Sequence, residues 1–357
     1  MKFYLVRLSD KTRRDKRLEY ILKHALKDDL KVCNIYGADE FISAAESGQL
    51  RKSRILIAAE IDESGICMDV MKVLSYLNTH NEALKGSYCS VIVDGCGDLH
   101  TKDVGRRIVF SANCAGAAFP GKPLVEATGS LANFSVISKV WDVSKEEAYL
   151  KSVRNLIEKL MDFCYDKDSF EHEKPQILVL HAGNRKTSNS YTLWKEVAKV
   201  IGDKADVEDI SIRNGQVQDC RGCKYERCLH YGEQASCFYG GVMVEKVYPA
   251  ILKADTLVVI CPNYNDAISA NIMALINRLT AIFITHDFSR KRIFSIVVSG
   301  YSGSDIVAQQ IIGAINMNKN FILPPYFVLM ATANDPGTVM DVPGIEKEIA
   351  EFAEKIV

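Results

Sequence analysis

A chain of 357 residues in which 44 Lys and Arg face 45 Asp and Glu carries no net field to draw it to nucleic acid or to a membrane surface. Hydrophobic residues make up 48%, enough for full-sized cores in one or two domains, and no apolar run approaches the ~18 residues of a membrane-spanning helix. The opening Met1-Lys-Phe-Tyr-Leu-Val-Arg7 is too short and too soon charged for a signal peptide, so a cytoplasmic protein with reduced cysteines is expected.

The first half alternates short apolar runs with amphipathic stretches. Residues 3–6 read as a strand, followed by a charged turn and a helical pattern from Leu18 to Leu26. Further strands are expected at 30–35, 54–59, 90–94 and 123–127, with helices over 67–77, 104–115 and 146–164. Residues 166–174 are polar and aperiodic, as a linker would be. The second half repeats the order, with strands at 177–180, 207–212, 256–261, 293–299 and 326–331. Helices are expected after the first of these, over 268–282, from the Gly300-Tyr-Ser-Gly303 turn to Met317, and over 345–356.

This alternation predicts an α/β protein with two domains, 1–165 and 174–357. Each is a flavodoxin-like, doubly wound, five-stranded parallel sheet of order 2-1-3-4-5. The halves can be laid on each other: Phe3 on Ile177, Arg54 on Thr256, and Ser90 on Ser295. Between the last two, Ile66, Met71, Leu74 and Leu77 fall on Ile268, Met273, Ile276 and Leu279 without a gap. The pattern reads as a tandem duplication; the alternative is two unrelated domains sharing a common alternation.

In such sheets ligands sit beyond the carboxyl ends of the strands, so the loops 181–190, 262–270 and 300–304 should converge on one site. The first carries Gly183, Arg185 and Lys186, then Ser188 or Asn189 as a helix cap. Unpaired N–H groups, hydroxyls and the Arg185 charge make an anion cradle; the same residues also make an ordinary well-capped turn. His181, at the end of the strand, reads as a polar strand-end residue.

With all three loops side by side, the second half resembles the NAD(P)H-dependent FMN reductases and iron–sulfur flavoproteins of the flavodoxin-like superfamily. Ala182-Gly-Asn-Arg-Lys-Thr-Ser-Asn-Ser190 stands where that family has Gly-Ser-Pro-Arg-Lys-x-Gly/Ser-Asn-Thr; the Arg-Lys pair and the Asn-Ser end match, the start does not. Cys261-Pro-Asn-Tyr-Asn-Asp-Ala-Ile-Ser-Ala270, followed by Asn277-Arg278, is the most specific match, to Ser-Pro-x-Tyr-x-x-x-x-Ser-Ala and a helix ending near Asp-Arg. Gly300-Tyr-Ser-Gly303 is a thin version of the family's glycine-rich third loop. The resemblance covers about 175–335 and implies a bound FMN that takes hydride from NAD(P)H and passes electrons to an acceptor. The cofactor-binding residues it implies are Gly183, Arg185, Ser188, Asn189, Ser190, Pro262, Asn263, Tyr264, Asn265, Ser269, Gly300 and Tyr301. Tyr264 reads as a ring partner for the flavin or as a core aromatic, and Ser269 as a contact or a helix start.

The first half lacks these features. Its first loop, Arg7-Leu-Ser-Asp-Lys-Thr-Arg-Arg-Asp15, has no glycine, and its second, Glu60-Ile-Asp-Glu-Ser-Gly65, is acidic. Carboxylates there would repel a phosphate, so a degenerate copy without flavin is expected. In the resembled family the flavin lies near a dimer interface. That implies a monomeric pseudo-dimer, with the degenerate half as built-in partner, or a homodimer.

Eleven cysteines is a high count. Cys33, Cys67, Cys89, Cys96, Cys114, Cys164 and Cys261 are scattered and read as buried thiols. Cys220, Cys223, Cys228 and Cys237 lie together in an insert at about 213–241, spaced Cx2Cx4Cx8C. Four thiolates in one loop suit a [4Fe–4S] cluster or Zn²⁺, with His230 able to replace one zinc ligand. A metal-free lid with Cys220 and Cys223 as a redox pair fits as well. The iron–sulfur branch starts with the more compact Cx2Cx2C, from which this spacing departs. The expectation is an FMN-dependent NAD(P)H oxidoreductase, with or without a cluster. The alternative is a non-catalytic flavodoxin-like electron carrier or binding protein whose flavin site has decayed.

Overall fold

The computed structural model describes residues 1–9, 16–213 and 217–357. The first-half loop expected over residues 7–15 falls largely outside them, as do residues 214–216 of the insert. The chain divides into two compact units, Met1–Tyr165 and Asp166–Val357.

The N-terminal unit runs β1 (Phe3–Leu8), α1 (Lys16–Ala25), β2 (Val32–Tyr36), α2 (Gly37–Glu46), β3 (Arg54–Ile61) and α3 (Met68–Leu77). It continues with β4 (Tyr88–Gly95), α4 (Thr101–Cys114), β5 (Leu124–Ala127), α5 (Ser135–Trp141) and α6 (Lys145–Asp162). All pairings are parallel, in the order β2-β1-β3-β4-β5. The inner strands β3 and β4 carry continuous apolar stretches, 55–59 and 91–93, because helices cover both faces of the sheet. A Ser144–Glu147 capping box starts α6, which buries Tyr149, Val153, Leu156 and Leu160 in the same cluster as Phe3, Leu5 and Leu56. Each such side chain contributes roughly 1.5–3 kcal/mol.

The C-terminal unit runs β6 (Gln176–His181), α7 (Asn189–Ile201), β7 (Asp206–Ser211), α8 (Tyr225–Gly232), α9 (Tyr248–Lys253) and β8 (Thr256–Pro262). It continues with α10 (Ala270–Arg278), α11 (Thr280–Phe283), β9 (Arg292–Ser299), α12 (Ser304–Ile311), β10 (Val328–Thr332) and α13 (Ile345–Ile356). Its sheet is again parallel, in the order β7-β6-β8-β9-β10, which is 2-1-3-4-5 within the unit. Both units are therefore flavodoxin-like, as the sequence pattern predicts.

The ladders correct one detail of the internal alignment. Arg54 pairs with Tyr88 and Thr256 with Arg292, so the fourth strands correspond one residue away from the Ser90–Ser295 superposition. In a strand, one residue decides which face a side chain takes. The same registers set Glu60 against Pro262 and Asp94 against Val298. The N-terminal unit thus carries carboxylates where the C-terminal unit has apolar residues beside its loops, consistent with a degenerate copy. Asp94 is buried and is held by the Arg17 guanidinium and by the Tyr149 hydroxyl at 3.1 Å.

Other differences from expectation have local causes. The helix expected over 268–282 breaks into α10 and α11, and at the break the Tyr248 hydroxyl donates to the Arg278 carbonyl at 2.6 Å. The polar stretch after Tyr165 is fastened to its own unit. Arg292 donates to the carbonyls of Asp166 (2.8 Å) and Lys167 (2.7 Å), and Asp255 accepts from the N–H of Glu171 and Gln176 (3.0 and 2.8 Å). Of the seven scattered cysteines only Cys67, Cys89 and Cys261 are buried; Cys33, Cys96 and Cys164 are exposed and Cys114 is half-buried. Cys33 lies on the edge strand β2 and Cys96 and Cys164 just past element ends, where one side is open. Among the described residues no helix is long and apolar enough to cross a membrane.

Candidate flavin and cysteine sites

The loops at the carboxyl edge of the C-terminal sheet are tied to one another. After β6, an Asx turn forms as Asn184 Oδ1 accepts from the Lys186 N–H at 2.9 Å. Ser188 then caps α7, its Oγ accepting from the Tyr191 N–H at 3.3 Å and lying 2.9 Å from Ser190 Oγ. Gly183 is required here, since a Cβ on it would lie 2.9 Å from Ser188 Oγ. Two hydroxyls and the first-turn N–H groups of a thirteen-residue helix therefore sit together, the elements of an anion cradle.

Asn189 does something else. Its amide donates to the carbonyls of Ala333 and Asp335 (3.1 and 2.8 Å) and accepts from the Gly337 N–H at 2.7 Å. The side chain is occupied in clamping the loop after β10. Arg185 is likewise engaged. Its guanidinium binds Asp209 Oδ1 at 2.6 Å and lies 5.6 Å from the centre of the Tyr191 ring. Tyr191 donates to Asp209 Oδ2 at 2.8 Å, and His181, fully buried, shares Asp209 Oδ1 at 3.1 Å. Burial pushes the Asp209 carboxyl up, but hydrogen bonds from His181 and Tyr191 and the charges of His181 and Arg185 outweigh it and hold it below its ordinary value. The clamp on Arg185 is therefore intact at neutral pH and is lost only as acid protonates Asp209, below the ordinary carboxylate range.

The loop after β8 turns through two successive left-handed residues, Asn265 (φ 55°) and Asp266 (φ 54°), types that tolerate this conformation. Asn263 fixes it to the loop after β9, donating to Ser299 Oγ (3.0 Å) and the Ser302 carbonyl (2.9 Å). Gly303 (φ 85°) packs so closely that a Cβ would lie 2.2 Å from Asp266 Oδ1. Gly300 meets Asn334 beyond β10 in the same way, at 3.0 Å from a built Cβ. Tyr264 and Tyr301 project from these loops, 60% and 83% exposed, so Tyr264 is not the core aromatic that one reading allowed. Asn263 Oδ1 and Ser269 Oγ are buried without a partner, and Ser269 makes no side-chain cap bond to α10. Orphaned polar atoms on a loop with two exposed aromatics fit a flat ligand with a hydrogen-bonding edge.

The four clustered cysteines line one cavity of about 320 Å³, walled also by Tyr231, Phe238 and Arg278. Helix α8 carries Cys228 and is seated on α11 through Gly232, where a Cβ would lie 2.1 Å from the Ala281 carbonyl oxygen. Asp219 Oδ1 accepts from Asn277 Nδ2 at 2.9 Å and from the Cys220 N–H at 2.7 Å, which holds the first cysteine to α10. Burial raises the Cys228 thiol above its ordinary value, and the neighbouring Cys237, Cys220 and Cys223 raise it further. The sulfurs share a cavity without sharing a coordination sphere: among the described residues no three Cys, His, Asp or Glu side chains close on a metal ion. His230 is exposed and is not among the residues that line the cavity.

One comparison bears on this unit. Residues 175–335 match the NADPH-dependent FMN reductase family. The FMN reductase match spans all three loops and the cysteine insert, and it leaves the N-terminal unit outside. No curated protein matches the chain. Among solved structures, RosB with a bound 8-demethyl-8-formylriboflavin-5′-phosphate intermediate is similar at 14% identity over 51% of this chain and 77% of that one, with TM-score 0.41. The Trp repressor binding protein from Bacillus subtilis is similar at 16% identity over 49% and 99%, with TM-score 0.34. A WrbA-like flavodoxin from Agrobacterium tumefaciens is similar at 13% identity over 52% and 96%, with TM-score 0.33.

What sequence reading missed are the partners supplied from distant positions. Asp209 on β7 and Asp219 before Cys220 carry no motif signal. Arg278 was visible only as the end of a family motif, with no hint that it faces the cysteines.

Proposed function

We propose that the C-terminal unit binds one FMN at the carboxyl edge between β6 and β8 and acts as an NAD(P)H-dependent oxidoreductase. The FMN reductase match over 175–335 carries this reading. Bound FMN would supply hydride acceptance from the nicotinamide and onward electron delivery. The chain's own part is to hold and shield it. The N–H groups at the start of α7, with the hydroxyls of Ser188 and Ser190, take the phosphate; Gly183 keeps room for them. Pro262, Asn263, Tyr264 and Asn265 offer a wall and polar edge for the ring, with Ser269 behind and Gly300 and Tyr301 opposite.

The four-cysteine cavity is read as a [4Fe–4S] site, which would supply single-electron transfer to a separate acceptor. Cys220, Cys223, Cys228 and Cys237 would be its ligands, drawn inward from the positions they now hold.

One observation favours the second reading, a flavodoxin-like binding protein with a weakened flavin site: Arg185 is bound by Asp209. The two readings separate in an Asp209→Asn variant. Losing a carboxylate beside the cradle and releasing Arg185 should tighten FMN binding about tenfold, within the range of a hydrogen bond to a charged group. Fluorescence titration of FMN measures it. A variant that gains nothing, alongside a wild type that binds no flavin, would establish the decayed site.

A further inference from the structure

The residues lining the insert cavity carry three guanidinium groups, from Arg221, Arg227 and Arg278, and among the described residues no carboxylate. The acid nearest in the chain, Asp219, is turned to Asn277 Nδ2 and the Cys220 N–H at 2.9 and 2.7 Å. Arg221 and Arg227 are exposed and pack over rings, 5.2 Å from the centre of Tyr239 and 5.4 Å from that of Phe238. Arg278 is only 4% exposed; its Nη2 donates to the Gly240 carbonyl at 2.9 Å, and its Nε is buried without a partner. Among the described residues none of the three forms an ion pair with a carboxylate. The Cys228 thiol supplies no charge at neutral pH, because burial and the neighbouring cysteines raise it above its ordinary value. A guanidinium taken out of water with an open donor is costly until an acceptor meets it.

We infer that the cavity, in the chain without iron, is a binding site for a small planar aromatic anion, whose ring lies among Tyr231, Phe238 and Tyr239 and whose anionic group takes the open donor of Arg278. Its volume of about 320 Å³ falls at the low end of the roughly 300–1,000 Å³ of small-molecule pockets. Aromatic walls with a few fixed polar groups are what such a pocket needs: the rings supply contact area, and the buried guanidinium fixes orientation. An oxyanion is the partner that the planar donor fork of an arginine accepts best. Arg221 and Arg227, at the exposed part of the lining, favour the approach of negative charge and disfavour a cation. The four sulfurs share no coordination sphere among the described residues, so the space between them is open to such a ligand. A cluster would fill the same space, and the inference therefore rests on neither the cluster reading nor the flavin reading.

The test is calorimetric titration of the full-length chain, reduced and stripped of iron by a chelator, with naphthalene-2-carboxylate as the probe. Saturable binding at about one probe per chain is expected, and none at up to about 1 mM probe overturns the inference. Naphthalene-2-methanol keeps the rings without the charge, and cyclohexanecarboxylate keeps the charge without the rings. Each should bind at least about tenfold more weakly, and either one binding as tightly as the probe overturns the assignment of class. Arg278→Gln should weaken the probe about tenfold. Should that variant fail to fold, Arg221→Gln combined with Arg227→Gln, both on the surface, keeps the question open to measurement. The pair should weaken the probe about threefold, and an unchanged affinity overturns the site. Placement is read by N-ethylmaleimide alkylation followed by mass spectrometry. Saturating probe should slow alkylation of Cys220, Cys223, Cys228 and Cys237 at least about threefold and leave the exposed Cys33 and Cys164 unaffected. Equal rates at the four cysteines with and without probe overturn the placement.

Discussion

On the proposed cluster reading, Gly232→Ala should leave the cysteine cavity without iron. A Cβ at this position would lie 2.1 Å from the Ala281 carbonyl oxygen, a backbone atom that cannot step aside. Helix α8 must lift from α11, which also breaks the Thr285 Oγ1 bond to the Gly232 carbonyl at 2.9 Å. Cys228 moves with the helix, while Cys220 stays fastened through Asp219 and Asn277. The thiols that line one cavity would no longer do so. After anaerobic reconstitution the variant should hold less than about a tenth of the wild-type iron, an equilibrium loss of at least ~1.4 kcal/mol. FMN affinity should change less than about twofold, since the residues assigned to the flavin lie on the loops after β6, β8 and β9. Full iron loading in this variant would mean that the seat of α8 does not gather the ligands.

The second large effect falls on the N-terminal unit. Arg17→Met takes the guanidinium away from Asp94, whose side chain is 2% exposed and which also accepts from the Tyr149 hydroxyl. Removing one partner of a buried ion pair typically destabilises by about 3–5 kcal/mol. Urea unfolding followed by Trp141 fluorescence, with Trp194 replaced by Phe, should show that loss in this unit. Adding Asp94→Asn should recover part of it, because the stranded charge is gone. The flavin titration should not move, as every proposed FMN contact lies in the other unit. An Arg17→Met protein as stable as its parent would show that the pair is replaceable by solvent.

The sheets were legible because a parallel strand covered on both faces must be a continuous apolar run. Leu178-Val-Leu180 and Val258-Val-Ile260 admit little else. The turns after them were legible from residue type: Gly183 leaves room for a cap, and Ser188 supplies it. The one-residue slip in the fourth strand was not, because Ser90 and Ser295 are both fully buried within apolar runs and no polar–apolar alternation marks the register. The site's electrostatics were illegible for another reason. Arg185 reads as a phosphate ligand with no sign that Asp209, on the neighbouring strand, faces it, and Asn189 reads the same way with no sign that Gly337 closes on it. Both pairings depend on how strands and loops far apart in the chain meet. The cysteine spacing pointed to a shared site, but that Arg278 of α10 also lines it could not be read from the insert.

The central claim is that the C-terminal unit holds a working flavin, and anaerobic titration of the purified chain with FMN, followed by NADH or NADPH, tests it most directly. Saturable quenching of flavin fluorescence at about one FMN per chain in the micromolar range, near −8 kcal/mol, is predicted. Bleaching of the bound flavin's absorbance on adding one of the two nicotinamides should follow. FMN that stays fully fluorescent at about 100 μM protein, or that binds and is bleached by neither nicotinamide, would contradict the account.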